Sequence, residues 1–312
     1  MPPSLRVAAF TPLYPPGSRV GAWLATHELL KGLAARGHKV EVLPNMGVSR
    51  PYALDGVVVF DKYTDADTMV SGADVVLSHL GDNGNAHRLA QEHGKPSVRV
   101  VHGGSMKQSR LNGAALAVFN SEATAAQFPS FPGQSIVVRP ITNPDEYRTT
   151  PGDKVTLVNL SDDKGGSVFW MIAAAMPDVQ FLGVRGYYGE QVEGDLPNVE
   201  LSMPTRDMRA DVYSRTRLLL MPSLAESWGM TAAEAMCSGI PVLAHPTPGL
   251  RECLGQAGVW ARRGYVDEWV WQIRRLLEPE TWAEASERAL KRSAELDPEA
   301  DLARFCDAVE AL

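Results

Sequence analysis

Short runs rich in Val, Leu and Ala recur along this chain, and a stretch with helical spacing follows almost every one. "LRVAAF" (5–10) precedes "GAWLATHELLKGLAARG" (21–37), in which Trp23, Leu24, Leu30, Leu33 and Ala34 share a helical face and Gly37 is a natural terminator. "HKVEVL" (38–43), "GVVVF" (56–60), "ADVVLSH" (73–79), "SVRVVH" (97–102) and "AALAVFNS" (114–121) continue the series. Strands without polar alternation are buried on both faces, and intervening helices are the connections that parallel strands need. The pattern predicts an α/β chain built on parallel sheets with helices on both sides.

The rhythm breaks once. "SIVVRPITNPDEYRTTPGDK" (135–154), with prolines at 140, 144 and 151, reads as a linker. The alternation then restarts with "VTLVNLS" (155–161), a helix in "SVFWMIAAAM", "VQFLGV" (179–184), "NVELS" (198–202), "RLLLMPS" (217–223) and "IPVLAH" (240–245), and turns helical from 265 onward. With 312 residues the chain has room for two doubly wound domains, expected at 1–148 and 149–295, with a terminal helix at 296–312 packing back on the first. Ligands of such sheets lie beyond the carboxyl ends of the strands, so strand-ending motifs are the candidate functional residues.

Composition narrows the partners. A net charge of −7 argues against nonspecific binding to nucleic acid or anionic membranes. No apolar run approaches the roughly 18 residues of a membrane span, and "MPPSLRVAAFTPLYPP" lacks a signal-peptide pattern, so a cytoplasmic location is expected. Cys237, Cys253 and Cys306 have no CxxC spacing, which points to reduced thiols rather than a disulfide framework or zinc site.

The densest chemistry lies in "AESWGMTAAEAM" (225–236). Glu226 follows a strand, and a helix is expected to start near Met230. Its first amides, at Gly229, Met230 and Thr231, would face an anion such as phosphate. Glu234, about one turn further in, could accept both hydroxyls of a vicinal diol. One phosphate flanked by two carboxylates suits a nucleotide sugar, with Glu226 toward the sugar and Glu234 toward the ribose.

The longer stretch "LLLMPSLAESWGMTAAEAMCSGIPVLAHPTPGLRECLGQAG" resembles the donor-binding signature of glycosyltransferase family 4, in the GT-B superfamily, with its E-x7-E motif. "MPDVQFLGVRG", "PNVELSM" and "ADVYSRTRLLLMPS" stand upstream in the family's order. The resemblance is strong from about 155 to 260 and diffuse in the N-terminal half. It implies two facing Rossmann-like domains with an inter-domain cleft, and a retaining transferase that takes a nucleotide diphosphate sugar without a metal or other cofactor.

By position, the resemblance gives Glu226 the donor sugar and Glu234 the ribose. Ser227, Trp228, Gly229, Met230 and Thr231 would form the turn that holds sugar and diphosphate. The family's G-R-L-x-x-x-K-G element reads "VNLSDDKGG" here, so Lys164 matches its lysine while Asn159 replaces its arginine. Preorganised cations that stabilise a departing diphosphate supply much of the acceleration in such a reaction. Lys164 would then carry more of that load, with Arg185 or Arg206 as substitutes. Thr205 falls near a base-contacting backbone position. His102 in "VRVVHGG" takes the place of a family histidine near sugar and acceptor, and His79 is a fainter version of it. The loop "YPPGSRVGAW" keeps Gly17 and Gly21 of the family's glycine-rich loop, with Ser18 between and Arg19 as an extra cation.

Asp65 and Asp67 form a D-x-D of the metal-dependent type, but in a polar stretch that reads better as a solvated loop. Two other readings are a nucleotide-sugar binding protein that has lost catalysis and a GT-B nucleotide-sugar epimerase. The acceptor is open among small molecules, glycans, protein side chains and hydroxylated bases in DNA. The last would need a basic rim, for which Arg19, Lys107, Arg110 and Arg139 are candidates.

Overall fold

The structure is a computed structural model, and it describes residues 3–17, 20–46, 48–79, 83–103 and 111–312, with the side chains of 83 and 84 set aside. The chain divides into two units, residues 1–141 with 298–312, and residues 142–297.

The first unit runs β1 (Arg6–Thr11), α1 (Gly21–Ala35), β2 (Lys39–Pro44), β3 (Tyr52–Leu54), β4 (Val57–Val59), α2 (Ala66–Ser71), β5 (Val75–His79), α3 (Asn83–Glu92), β6 (Ser97–Val101), β7 (Leu116–Phe119), α4 (Glu122–Ala125) and β8 (Gln134–Val137). Its sheet has the order β3-β4-β2-β1-β5-β6-β7-β8. All neighbours are parallel except the hairpin pair β3 and β4. Successive side chains of a strand point to opposite faces. Val7 and Ala9 of β1 therefore join the core under α1, while Ala8 and Phe10 join the one under α3. Helix α1 buries more of its circumference than the expected stripe, because the terminal helix (Pro298–Glu310) covers a second side of it. A side chain at Gly32 would collide with Leu302. That helix is also held by Arg36–Asp307 at 2.6 Å, His38–Glu310 at 2.9 Å and Arg139–Asp301 at 2.6 Å.

The second unit runs α5 (Pro144–Tyr147), β9 (Lys154–Val158), a 3-10 turn (Asp162–Lys164), α6 (Gly166–Ala175), β10 (Phe181–Val184), β11 (Val199–Ser202), α7 (Met208–Asp211), β12 (Thr216–Met221), α8 (Met230–Met236), β13 (Val242–Ala244), α9 (Pro248–Leu254), β14 (Val259–Trp260), α10 (Val266–Leu277) and α11 (Pro279–Glu295). The sheet order is β11-β10-β9-β12-β13-β14 and every pair is parallel. Leu218 and Leu220 of β12 face Phe169, Ile172 and Trp269 on one side, and Leu219 and Met221 face Trp228, Met236 and Leu250 on the other. Each fully buried side chain of this kind contributes about 1.5–3 kcal/mol.

Two expectations change. The stretch read as a linker from 135 contains β8, paired in parallel with β7. The division falls at 141/142 rather than 148/149 because Asn143 caps α5, and α5 packs within the second unit. Tyr147 meets Tyr213 edge-on, and Thr149 N–H donates to Ser238 Oγ at 2.9 Å. Strands β3 and β14 are too short to have been visible as apolar runs.

Candidate functional site: strand ends of the second unit

Parallel pairing carries the carboxyl ends of β9, β12 and β13 to one edge of the second sheet. The loop after β9 turns sharply at Asn159, whose φ of +69° is a left-handed conformation that asparagine tolerates. Its Oδ1 accepts from Ser161 N–H at 3.1 Å and from Gln191 Nε2 at 3.0 Å. Gln191 Oε1 in turn accepts from the amides of Leu160 at 2.9 Å and Gly186 at 2.8 Å. The Oδ1 of the amide that stands where the arginine was expected is thus engaged by the protein's own loops.

The same loop then delivers Lys164. Its Nζ donates to Glu226 Oε1 at 2.6 Å, and that oxygen also accepts from Ser223 Oγ at 2.9 Å. The pair is largely covered, with side chains 21% and 12% exposed, so water screens it little. Burial alone would lower the Lys164 pKa, but the charge of Glu226, with Tyr188 and Asp163 adding to it, reverses this and holds it above the usual value. The ammonium stays charged throughout the physiological range.

Two glycines allow this approach. Gly165, at φ +99°, lies where a side chain would come within 2.8 Å of Pro222 Cβ and 3.0 Å of Pro222 O. Gly249 lies where one would come within 2.5 Å of Ser227 O. The loops after β9, β12 and β13 are therefore in backbone contact.

Glu234 is 6% exposed, and its Oε2 accepts from Tyr213 Oη at 2.5 Å. Each carboxylate oxygen can accept two hydrogen bonds, so the Tyr213 bond leaves acceptor capacity on Glu234 for the diol expected from sequence. Burial, then the charge of Glu234, holds the Tyr213 phenol well above its ordinary pKa, so it remains a donor. The turn between the glutamates has Gly229 at φ +108° before α8. The amides of Met230 and Thr231 open that helix, outside its own hydrogen-bond ladder. Thr231 Oγ1 contacts Met221 Sδ at 3.8 Å. Trp228 is a correction: it is 2% exposed and packs in the core rather than facing a ligand.

Arg185 pairs with Glu193 at 2.8 Å, Arg206 is exposed, and Thr205 is engaged in a local turn with Asp207 and Asp211. In the first unit, His102 ends β6 and stands edge-on to His79 with ring centroids 4.6 Å apart; His79 does the same against Trp23 at 5.1 Å. Although His102 as a residue is half-buried, its Nε2 is covered, and burial pushes its pKa down to about 4. It is therefore a neutral imidazole near pH 7, suited to hydrogen bonding rather than proton donation. Gly17 lies in an exposed turn and Gly21 opens α1, while Ser18 and Arg19 fall outside the described residues, as do Lys107 and Arg110. Arg139 is committed to Asp301. Asp65 caps α2 and Asp67 pairs with His93 at 2.9 Å. Among the described residues no group of three or more His, Cys, Asp or Glu is placed to hold a metal ion.

Sequence reasoning missed Ser223, Gln191 and Tyr213, and above all Arg263. The last follows β14 in "ARRG", and the paired arginines at a strand end were the signal available.

Residues 172–279 match the family described as Glycosyl transferases group 1. The matched stretch lies within the second unit. That match contains both glutamates of the cluster, while Lys164 lies upstream of it. A D-inositol 3-phosphate glycosyltransferase of Nocardiopsis dassonvillei is 32% identical over 117 residues, 35% of this chain and 27% of that protein. One of Mycolicibacterium gilvum is 25% identical over 65% of this chain and 53% of its own length. The chain thus spans about a quarter to a half of these two curated relatives. Among solved structures, Anabaena HepE in complex with UDP-glucose superposes with a TM-score of 0.83 at 17% identity, covering 99% of this chain and 100% of that one. A sucrose-phosphate synthase from Thermosynechococcus elongatus gives 0.82 at 16% identity, covering 98% of both. Both units are Rossmann-like, and the fold is that of GT-B glycosyltransferases.

Proposed function

We propose that this protein is a glycosyltransferase whose second unit binds a nucleoside diphosphate sugar at the ends of β9 and β12. The Lys164–Glu226–Ser223 cluster carries the reading, because it joins a fixed cation to a carboxylate inside the group 1 pattern. Lys164, helped by the amides of Met230 and Thr231, stabilises the charge that builds on the departing diphosphate. Glu226 orients the sugar and stabilises its oxocarbenium-like carbon. The bond from C1 to the diphosphate oxygen breaks, and a new C1–oxygen bond to the acceptor forms on the same face. The acceptor's proton leaves with the phosphate oxygen, so configuration is retained and neither a covalent intermediate nor a metal is required. Glu234 is assigned the ribose, and the first unit, with its neutral His102, the acceptor. UDP-glucose is the first donor to try, since it is the ligand of the HepE structure.

Calorimetric titration with UDP, followed by a donor-hydrolysis screen across nucleotide sugars, tests this reading. UDP binding that weakens about 10- to 100-fold in Lys164→Met supports it, on the scale of one hydrogen bond to a charged group. Binding that is indifferent to Lys164 sinks it. Binding without turnover of any donor would favour the catalytically silent binder, to which the inward-turned Asn159 points. Release of an isomerised nucleotide sugar would favour the epimerase. No described helix is long and apolar enough to cross a membrane.

A further inference from the structure

Arg263 lies on the turn between β14 and α10, and its guanidinium is spent on backbone. Its Nη1 donates to Pro222 O at 3.0 Å and Asp163 O at 3.3 Å, and its Nη2 donates to Asp162 O at 2.5 Å. Asp162 adds a carboxylate contact at 3.4 Å. Pro222 belongs to the loop that carries Ser223 and Glu226, and Asp162 and Asp163 immediately precede Lys164. One side chain thus binds both loops whose charged residues meet at 2.6 Å.

The turn holding Arg263 is itself fixed. Its amide donates to His245 Nδ1 at 3.3 Å, and the neighbouring Arg262 carbonyl accepts from Trp269 Nε1 at 3.0 Å. Trp269 is fully buried. A guanidinium presents five donors in a rigid fork, which suits it to several carbonyls at once in a way that an ammonium cannot match. Its positive charge also offsets three carbonyl dipoles whose negative ends gather at the strand termini, where an anion is proposed to bind.

We infer that Arg263 is the positioning residue of the proposed diphosphate site, holding Lys164 and Glu226 in register by binding the backbone of both their loops. This rests on the function proposed above for the same cluster. It also supplies the second cation that Asn159 does not, acting through backbone rather than by contact with the donor.

The test has one readout that needs no donor. An amine-acetylating reagent followed by mass spectrometry measures how fast Lys164 is modified, with Lys154 in the same unit as internal reference. Arg263→Gln should speed modification of Lys164 about tenfold relative to Lys154, and Arg263→Lys should restore only part of the protection. Arg263→Gln should also weaken UDP about tenfold by calorimetry, and that loss should vanish when Lys164 is already Met, since coupled residues are not additive. An unchanged Lys164 rate, equal acceleration at Lys154, or an undiminished loss in the Lys164→Met background would each overturn the inference. If the wild-type protein bound no UDP, the function proposed above would fall while the labelling ratio still decided the role of Arg263.

Discussion

Gly249, the second residue of α9, offers the sharpest test of how the Glu226 loop is held. A methyl group there would lie 2.5 Å from Ser227 O and closer still to Glu226 O and Ser227 C, whereas ordinary contact begins near 3.4 Å. These neighbours are backbone, so no flexible tip can swing aside, and α9 or the Glu226–Ser227 peptide must shift by about 1 Å. Its backbone is not in the left-handed region, so the penalty of Gly249→Ala is steric alone. Overpacking of this kind costs about 1–3 kcal/mol. At about 2–4 °C per kcal/mol for a domain of this size, 2 kcal/mol lowers Tm by about 4–8 °C. If the Glu226 loop is the part that yields, a displacement of about 1 Å lowers donor turnover about a hundredfold. Calorimetric unfolding and a donor-hydrolysis assay read the two effects. Gly264→Ala is the control, since a methyl group there meets nothing within 4 Å and should be neutral or slightly stabilising. A Gly249→Ala protein with unchanged Tm and turnover would refute the claim that α9 braces this loop.

Lys164, whose pKa is raised in the folded state, contributes stability that is fully present below about pH 10.4 and is lost as pH rises through its folded value. UDP affinity should therefore stay flat from about pH 7 to 9, whereas a fall centred near neutrality would exclude Lys164 as the phosphate ligand. Tyr213→Phe removes a donor to Glu234 Oε2 and should cost about 1.5–3 kcal/mol in urea unfolding, and an unchanged midpoint would show that this bond does not stabilise the fold. His102 has a depressed pKa, so the unfolded chain binds its proton first on acidification, and stability falls between pH 6.5 and about 4. The slope from this group is at most about 1.4 kcal/mol per pH unit, and His102→Asn should flatten the measured profile by that much.

Much of the site could be read along the chain because its parts are local. The strand, the Glu226 turn and the helix carrying Glu234 occupy one continuous stretch, and strand-ending residues of a parallel sheet converge by geometry alone. Lys164 was legible through the resemblance, and it lies on the 3-10 turn that follows β9. A residue type does not reveal its partner: Arg185 pairs with Glu193, and the core under α8 takes the side chain of Trp228. Asn159 was legible as an absence, but nothing in the sequence indicated that Gln191, more than thirty residues later, would claim its amide.

The order of apolar runs and the glycines between them determined by themselves that two parallel sheets would form, since burial on both faces leaves such strands few other arrangements. Which side chains oppose one another at the strand ends was decided only in three dimensions. Arg263 reaches carbonyls about forty and a hundred positions earlier in the chain, and the packing of Trp269 and the pairing of β14 put it there. A hydrogen bond to a backbone carbonyl leaves no mark in the sequence of its acceptor, because every residue has that carbonyl.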